Sequence, residues 1–473
     1  MRYSAFSHRD ENLNVFEDSN IPAITQNVSY DPFSGVTRSS EVTIMRFTYG
    51  IDDKPKPASL VIFGLQWLAV SVPAILIIGK VVAGLYGGSA IPYLQKLFLL
   101  TAIVLLMQIY LGHKLPLVVG PATVLLIGIL ASLNAGFGAI NASILIGGVL
   151  LAVLAAAGLF KYLMRLFTPR VIAVVLMLIA FTLAPVILDL MVDGGGSVPA
   201  THAFLFSLAF AFILFVANGR LKGIWKSTLA LWAIILGSLV YILMFGAVTL
   251  PPEGIAAIAF PGELLAPLAM PGIGVLAAFL ICFLALAIND LGSIQSVGGL
   301  LKADKMGERT NRGVTVTGIG NALAGLTGVI GPVNFSLSPG VIAATGCASR
   351  FALVPAGLAL ALLAASPIAI GYLASIPGPV IGVVLAYVMA AQIAAGLMVG
   401  QENSAVKTFD EGLIVGVPLI LGTVVAFLPD IVASGFPATL RPLITNGFVI
   451  GIVAVLVLEH LVYRKRPEDN IES

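Results

Sequence analysis

The sequence predicts an all-α integral membrane protein of about fourteen transmembrane segments, built as two inverted seven-span repeats with short extended breaks in segments three and ten. Composition, the placement of basic residues, and two interrupted spans at matching positions carry this reading. Apolar residues make up 59% of the 473, charged residues only 10%, and the mean hydropathy is +1.04. A soluble domain carries roughly 25% charged residues, so this chain lacks the charge to cover a water-facing surface. The same composition excludes several functions. Cys282 and Cys347 sit in apolar segments and form neither a disulfide framework nor a metal spacing, and the four histidines are scattered. No phosphate-binding Gly-x-x-x-x-Gly-Lys is present, which argues against an ATP-driven pump. No cofactor, metal or nucleic-acid partner is expected; the bilayer and a small molecule are. The polar start, MRYSAFSHRDEN, shows no cleavable signal.

A polar tail covers residues 1–57. The first set of apolar segments, within 58–248, lies near Leu60–Gly79, Pro92–Leu111, Leu117–Leu133, Ala142–Phe160, Pro169–Leu190, Ala203–Ala217 and Thr228–Val248. A connector over 249–270 leads to the second set, within 271–462. Its segments lie near Gly272–Val297, Gly313–Ile330, Val333–Thr345, Phe351–Ser366, Gly378–Val399, Glu411–Leu428 and Pro442–Val462, before a short tail over 463–473. Seven is odd, so repeats of seven spans must be inverted across the membrane. With the N-terminus inside, all of the 25 Lys and Arg except Lys80, Lys96 and Arg441 fall in the tails and loops of one side. The positive-inside rule then puts both termini in the cytoplasm of a multi-pass cell-membrane protein and the connector outside.

Two segments are too short and too broken to be ordinary spans. "VVGPATVLL" and "SLSPGVIAA" each put an extended or polar run before a Gly/Pro pair and a helical run. Interrupted segments at corresponding places in two halves point to a transporter binding site. Backbone that leaves the helix at membrane depth is tolerated only where protein or a polar cavity satisfies it. Pro339 and Gly340 suit a first helical turn, and free N–H groups at a helix start attract an acceptor or anion. Helix starts at Pro121–Ala122 and Pro339–Gly340 are therefore expected to face one cavity near mid-membrane. The simpler alternative is a Pro kink in a packed helix.

The eighth segment, "ALAINDLGSIQSVGGLL", carries Asn289, Asp290, Ser293 and Gln295 in an apolar helix. Asn289 and Ser293 are four apart and share a face, while Asp290 lies about 100° round. Ionisable residues at membrane depth default to a functional hypothesis. The alternatives are interhelical hydrogen bonding for Asn289 and Ser293 and a fixed buried partner for Asp290. The glycines of "GIGNALAG" (Gly318–Gly325) read as close helix packing.

At these residues the chain resembles the nucleobase–ascorbate transporter family, the uracil/xanthine/urate permeases. The strings that carry the resemblance are "YGIDDKPKP" with "GLQWLAV", "FTPRVIAVVLMLIAFTLAP", "LLKADKMGERTNRGVTVTGIGNALAGLTG", "FSLSPGVIAATGCASR" and "LASIPGPVIGVVLAYV". The resemblance implies a core of spans 1–4 and 8–11, a gate of spans 5–7 and 12–14, and a homodimer formed through the gate. The family motif's Gly and Thr fall on Gly340 and Thr345, and its preceding Gln/Glu-Asn pair falls on Leu337 and Ser338. The usual Gln-His of the first span reads Gln66-Trp67, and the eighth-span Glu-His reads Asn289-Asp290.

These matches imply a secondary transporter of nucleobases such as uracil, xanthine or urate, with proton or sodium symport as the expected coupling and no enzymatic activity. Asn289, Ser293, Ser338, Pro339, Gly340, Ala122, Thr123 and Gln66 are the candidate substrate contacts, and Asp290 is the candidate for ion coupling. The competing expectation is a small-anion carrier, of carboxylate or sulfate, on the related sulfate-permease-like architecture.

Overall fold

The structure, a computed structural model, describes residues 47–87, 89–159, 166–246, 254–402 and 405–463. The expected tails at 1–46 and 464–473 and the connector residues 249–253 lie outside the described residues. The first half contains α1 (Pro57–Leu85), α2 (Ala90–Tyr110), strand β1 (Val119–Pro121), α3 (Thr123–Ala131) and α4 (Phe137–Ala156). It continues with α5 (Pro169–Thr182), α6 (Ala184–Val192), α7 (Ala200–Arg220), the single turn α8 (Gly223–Ser227) and α9 (Leu229–Phe245). The second half begins with α10 (Ile273–Leu300), α11 (Met306–Thr327), strand β2 (Pro332–Asn334), α12 (Ser338–Thr345), α13 (Val354–Ala364) and α14 (Pro367–Ala374). It ends with α15 (Gly378–Glu402), α16 (Phe409–Ala426), the short α17 (Asp430–Ala433) and α18 (Arg441–Ile444), and α19 (Gly447–Val457).

Among the described residues eight helices are long and apolar enough to cross a bilayer, taking α5 and α6 as one. The segment Arg350–Ala364 with Pro367–Ala374, bent by 91°, makes a ninth. Local chemistry sets the ends. Ser89 Oγ accepts from the Ile91 N–H, Thr168 caps α5 ahead of Pro169, and Thr408 with Glu411 forms a complete capping box on α16. The two interrupted segments hold the extended breaks expected of them. Strands β1 and β2 pair antiparallel, with Val119 opposite Asn334, Gly120 opposite Val333 and Pro121 opposite Pro332.

The helices pack mainly in two groups. Helices α1–α4, α10, α11 and α13 pack on one another, and α15 packs on α5, α6, α7 and α9, with α16 and α19 joining α5. The closest packing is between α4 and α11, where the glycines of the ninth segment meet their partners. A Cβ added to Gly318 would sit 2.5 Å from Ala152 N, one on Gly325 2.5 Å from Leu145 N, and one on Gly148 2.4 Å from Ala322 N. Small residues let backbones approach this closely where lipid supplies no hydrophobic drive. Because the opposing atoms are backbone, Gly318→Val should cost at least about 1–3 kcal/mol by overpacking. The check is the melting midpoint in detergent; an unchanged midpoint would contradict this contact.

A strap ties the start of the described chain to the far side of the second break. Thr48 N donates to Gly346 O at 2.8 Å, Ala348 N to Tyr49 O at 3.0 Å, and Arg350 N to Ile51 O at 3.0 Å. Arg350 also pairs with Asp52 at 2.7 Å and donates to the Ile109 carbonyl. The strap thereby fixes the C-terminal end of α12, whose final turn closes on Gly346 in the left-handed conformation (φ 66°).

Candidate functional site

The site begins with the question of how two broken spans satisfy their backbones. The strands bond to each other, and flanking groups complete the ladder. Ala122 N donates to Gly331 O and Phe335 N to Val118 O, both at 2.8 Å. Ser338 Oγ accepts from Val118 N at 3.1 Å and donates to Phe335 O at 3.0 Å, stitching the first break to the start of α12.

Behind the strands lies a buried polar network centred on Asn334. Its N–H and its Nδ2 both donate to Asp290 Oδ1, at 2.9 and 2.7 Å. Its Oδ1 accepts from His113 Nε2 at 3.1 Å. His113 Nδ1 accepts from Leu115 N at 3.0 Å, which places the ring proton on Nε2. Ser293 Oγ donates to the carbonyls of Asn289 and Asn334, at 2.8 and 2.9 Å. Asn321 Nδ2 donates to Pro332 O at 2.8 Å, and Gln108 Nε2 to Gly313 O at 2.9 Å. Arg309 holds the carbonyls of His113 and Lys114 at 3.1 Å each. Protein groups thus replace the missing helical bonds, as backbone at membrane depth requires.

With their strands pinned, α3 and α12 start beside one another; Thr123 and Val124 precede the first helical bond of α3, whereas at α12 the Ser338 and Gly340 N–H groups donate to the carbonyls of Phe335 and Leu337 and Pro339 has no N–H. A cavity of about 620 Å³ lies at these starts, within the size range of small-molecule sites. Thr123 and Gly340 line it from the two broken segments, Asn289 from α10, and Pro73 and Ile77 from α1. Helix α15 adds a further wall through Leu385, Tyr387, Val388, Met389 and Gln392. Lys226 and Ser227 of α8 border it as well. Phe335 presents an aromatic ring to the cavity, and this ring depends on Gly120, where a Cβ would stand 2.4 Å from it. Tyr387 Oη donates to Asn218 Oδ1 at 3.1 Å, anchoring that wall to α7.

The candidates read from sequence divide accordingly. Asn289, Thr123 and Gly340 line the cavity, and Leu337, at the motif position next to Ser338, lines it with an apolar side chain. Ser293, Ser338 and Ala122 do not line it. The hydroxyls of Ser293 and Ser338 bond to backbone groups at the break, and Ala122 is fully buried. Pro339 occupies the first turn of α12 outside the lining, so the helix starts one residue earlier than expected, at Ser338. Thr345 Oγ1 donates to Val341 O and accepts from Cys347 N, closing the end of α12. Gln66 lies in α1 away from the cavity, and its buried Oε1 has no partner among the described residues. Asp290 is fully buried, faces Asn334, and does not line the cavity; its Oδ2 has no hydrogen bond among the described residues.

Sequence reasoning passed over Phe335, Tyr387, Gln392, Asn334 and His113. Gln392 carries the same signal as Asn289, a carboxamide inside an apolar span. The pairing of His113 with Asn334 joins residues 221 positions apart and has no local signature.

Residues 58–431 match the model for xanthine/uracil permeases, described as the Permease family. A candidate purine permease of Clostridium perfringens is 28% identical over 89% of this chain and 93% of its own. The xanthine permease of Bacillus subtilis is 27% identical over 75% of this chain and 80% of its own. The uric acid transporter of Escherichia coli is 24% identical over 87% and 88%. Among solved structures, the transmembrane domain of the cyanobacterial bicarbonate transporter BicA superposes with a TM-score of 0.60 at 18% identity, covering 79% of this chain and 97% of that domain. The murine anion transporter Slc26a9 gives 0.53 at 14% identity, covering 85% and 68%. At these identities the two structures are similar in fold alone.

Proposed function

This chain belongs to the Permease family, whose members are transporters, and on that premise we propose that it is a multi-pass membrane permease for nucleobases of the xanthine, uracil or urate kind. The observation that carries the reading is the cavity at the two broken helices, into which Asn289 presents a carboxamide with no partner among the described residues. A carboxamide offers a donor and an acceptor side by side, which matches the alternating N–H and C=O groups on the edge of an oxidised base. The N–H groups of Thr123 and Val124, ahead of the first helical bond of α3, suit a carbonyl oxygen of such a base. Phe335 offers an aromatic face to its ring.

Charge narrows the choice. Among the cavity-lining residues Lys226 is charged and none is acidic, which disfavours a cationic ligand and suits a neutral or anionic base. A small anion would also suit the start of α3, but the relatives matched along most of the chain are base permeases. For an ion-coupled symporter, the absence of a lining carboxylate leaves Asp290, behind β2, as the acid nearest the broken backbone of α12.

The proposed architecture is fourteen spans in two inverted repeats, both termini in the cytoplasm. The antiparallel pairing of β1 with β2 supports it, because segments related by a two-fold axis in the membrane plane run oppositely. The two packing groups support a core that carries the broken spans and a gate that carries α15, and the homodimer implied by family resemblance would form through the gate. Asn289→Ala should weaken base binding by about 0.5–1.5 kcal/mol, the net worth of a neutral hydrogen bond, without loss of folded yield. Equilibrium binding to detergent-purified protein checks this; unchanged affinity would remove Asn289 from the site.

A further inference from the structure

We propose that Gln392 is a second base-reading carboxamide, contributed to the same cavity by a different packing group from Asn289, and that it determines specificity at one edge of the substrate. This inference rests on the nucleobase reading above and extends it to a residue of α15. Leu385, Val388, Met389 and Gln392 are spaced three and four apart, so they form one face of α15, and that face lines the cavity. Apart from Tyr387, which is committed to Asn218, Gln392 is the polar side chain that α15 brings to the cavity. It is half-buried and has no hydrogen-bond partner among the described residues, the condition of Asn289 in the same cavity. A carboxamide held unpaired in an otherwise apolar wall costs free energy unless a ligand or water completes it.

Two carboxamides brought to one cavity by two different helices suit a planar molecule with hydrogen-bonding groups on two separate edges. Purine diones and triones have that form. Such a ligand bonds simultaneously to α10 in one packing group and α15 in the other, so its affinity depends on their separation.

The test uses the purified full chain and measures affinity for xanthine and for its 1-, 3-, 7- and 9-methyl derivatives. A methyl group blocks one N–H, so it should weaken binding to the wild type where that N–H is read. Gln392→Met is expected to weaken xanthine roughly 2- to 12-fold, the range of one neutral hydrogen bond. It should also remove the penalty at one methyl position, while Asn289→Ala removes the penalty at a different one. Gln392→Glu keeps the length and replaces donors by acceptors, so it should abolish any contact in which Gln392 donates. The assignment is overturned if Gln392→Met leaves xanthine affinity unchanged, or lowers it while every methyl penalty persists, as a merely structural role would. A wild-type protein that binds no base overturns the functional reading itself, and the Gln392 assignment with it.

Discussion

Asp290→Ala should cost about 2–6 kcal/mol, because it strips the acceptor from two buried donors at about 1–3 kcal/mol each. Those donors are the backbone N–H and the Nδ2 of Asn334, held at 2.9 and 2.7 Å from Asp290 Oδ1. Asn334 is the last residue of β2, and the first helical turn of α12 begins four residues later. Loss of the acceptor therefore loosens the break on which the cavity is built, as well as destabilising the fold. Folded yield by size-exclusion chromatography should fall sharply. Asp290→Asn keeps an acceptor oxygen at this place and should restore most of the yield. The same variant separates structure from coupling. An acid committed to holding β2 predicts that Asp290→Asn protein transports with unchanged dependence on an imposed pH gradient. Accumulation lost under a pH gradient, with exchange at equal pH intact, would instead give Asp290 the coupling role expected from sequence. We expect the first outcome, since the carboxylate faces Asn334 and does not line the cavity.

Arg170→Ala is expected to cost about 3–5 kcal/mol, the usual penalty for removing one partner of a buried ion pair. Arg170 Nε and Nη2 grip Glu459 at 2.8 and 3.1 Å, and its Nη1 reaches Glu411 at 2.9 Å and the Ala405 carbonyl at 3.1 Å. The carboxylates are 4% and 11% exposed, so neither regains full hydration when the guanidinium goes. The cluster joins the first turns of α5 and α16 to the helical turn after α19, three elements of the group that packs on α15. Thermal unfolding in detergent measures the loss. Neutralising all three charges together, as Arg170→Met, Glu411→Gln and Glu459→Gln, should recover much of it, because no lone buried charge remains. Equal losses in the single and triple variants would show that hydrogen-bond geometry, not unpaired charge, sets the cost.

How far the sequence anticipates this molecule depends on whether a feature is local. The apolar segments and their breaks are local: β1 falls inside the first segment that carries a Gly/Pro interruption, and β2 overlaps the start of the second. Gly318 and Gly325 could be read as a packing stripe because small residues at that spacing have few other uses in a membrane helix. Asn289 was legible as a lone carboxamide in an apolar span. The polar residues beside it were not separable by type. Ser293 and Ser338 look like ligands for a substrate, yet both hydroxyls bond to the broken backbone, a demand visible only once β1 and β2 are placed together. Helical geometry put Asp290 about 100° from Asn289 but could not show that Asn334 lies against it. The strap from Thr48 to Arg350 and the wall formed by α15 depend on contacts across most of the chain.

The central claim is that the cavity at the two broken helices carries nucleobases. Uptake into proteoliposomes tests it most directly, with labelled xanthine, uracil and urate set beside labelled bicarbonate and sulfate, in wild type and Asn289→Ala. Saturable uptake of at least one base, weakened in the variant and not inhibited by either anion, is the predicted result. Saturable uptake of an anion with no uptake of any base would contradict the claim.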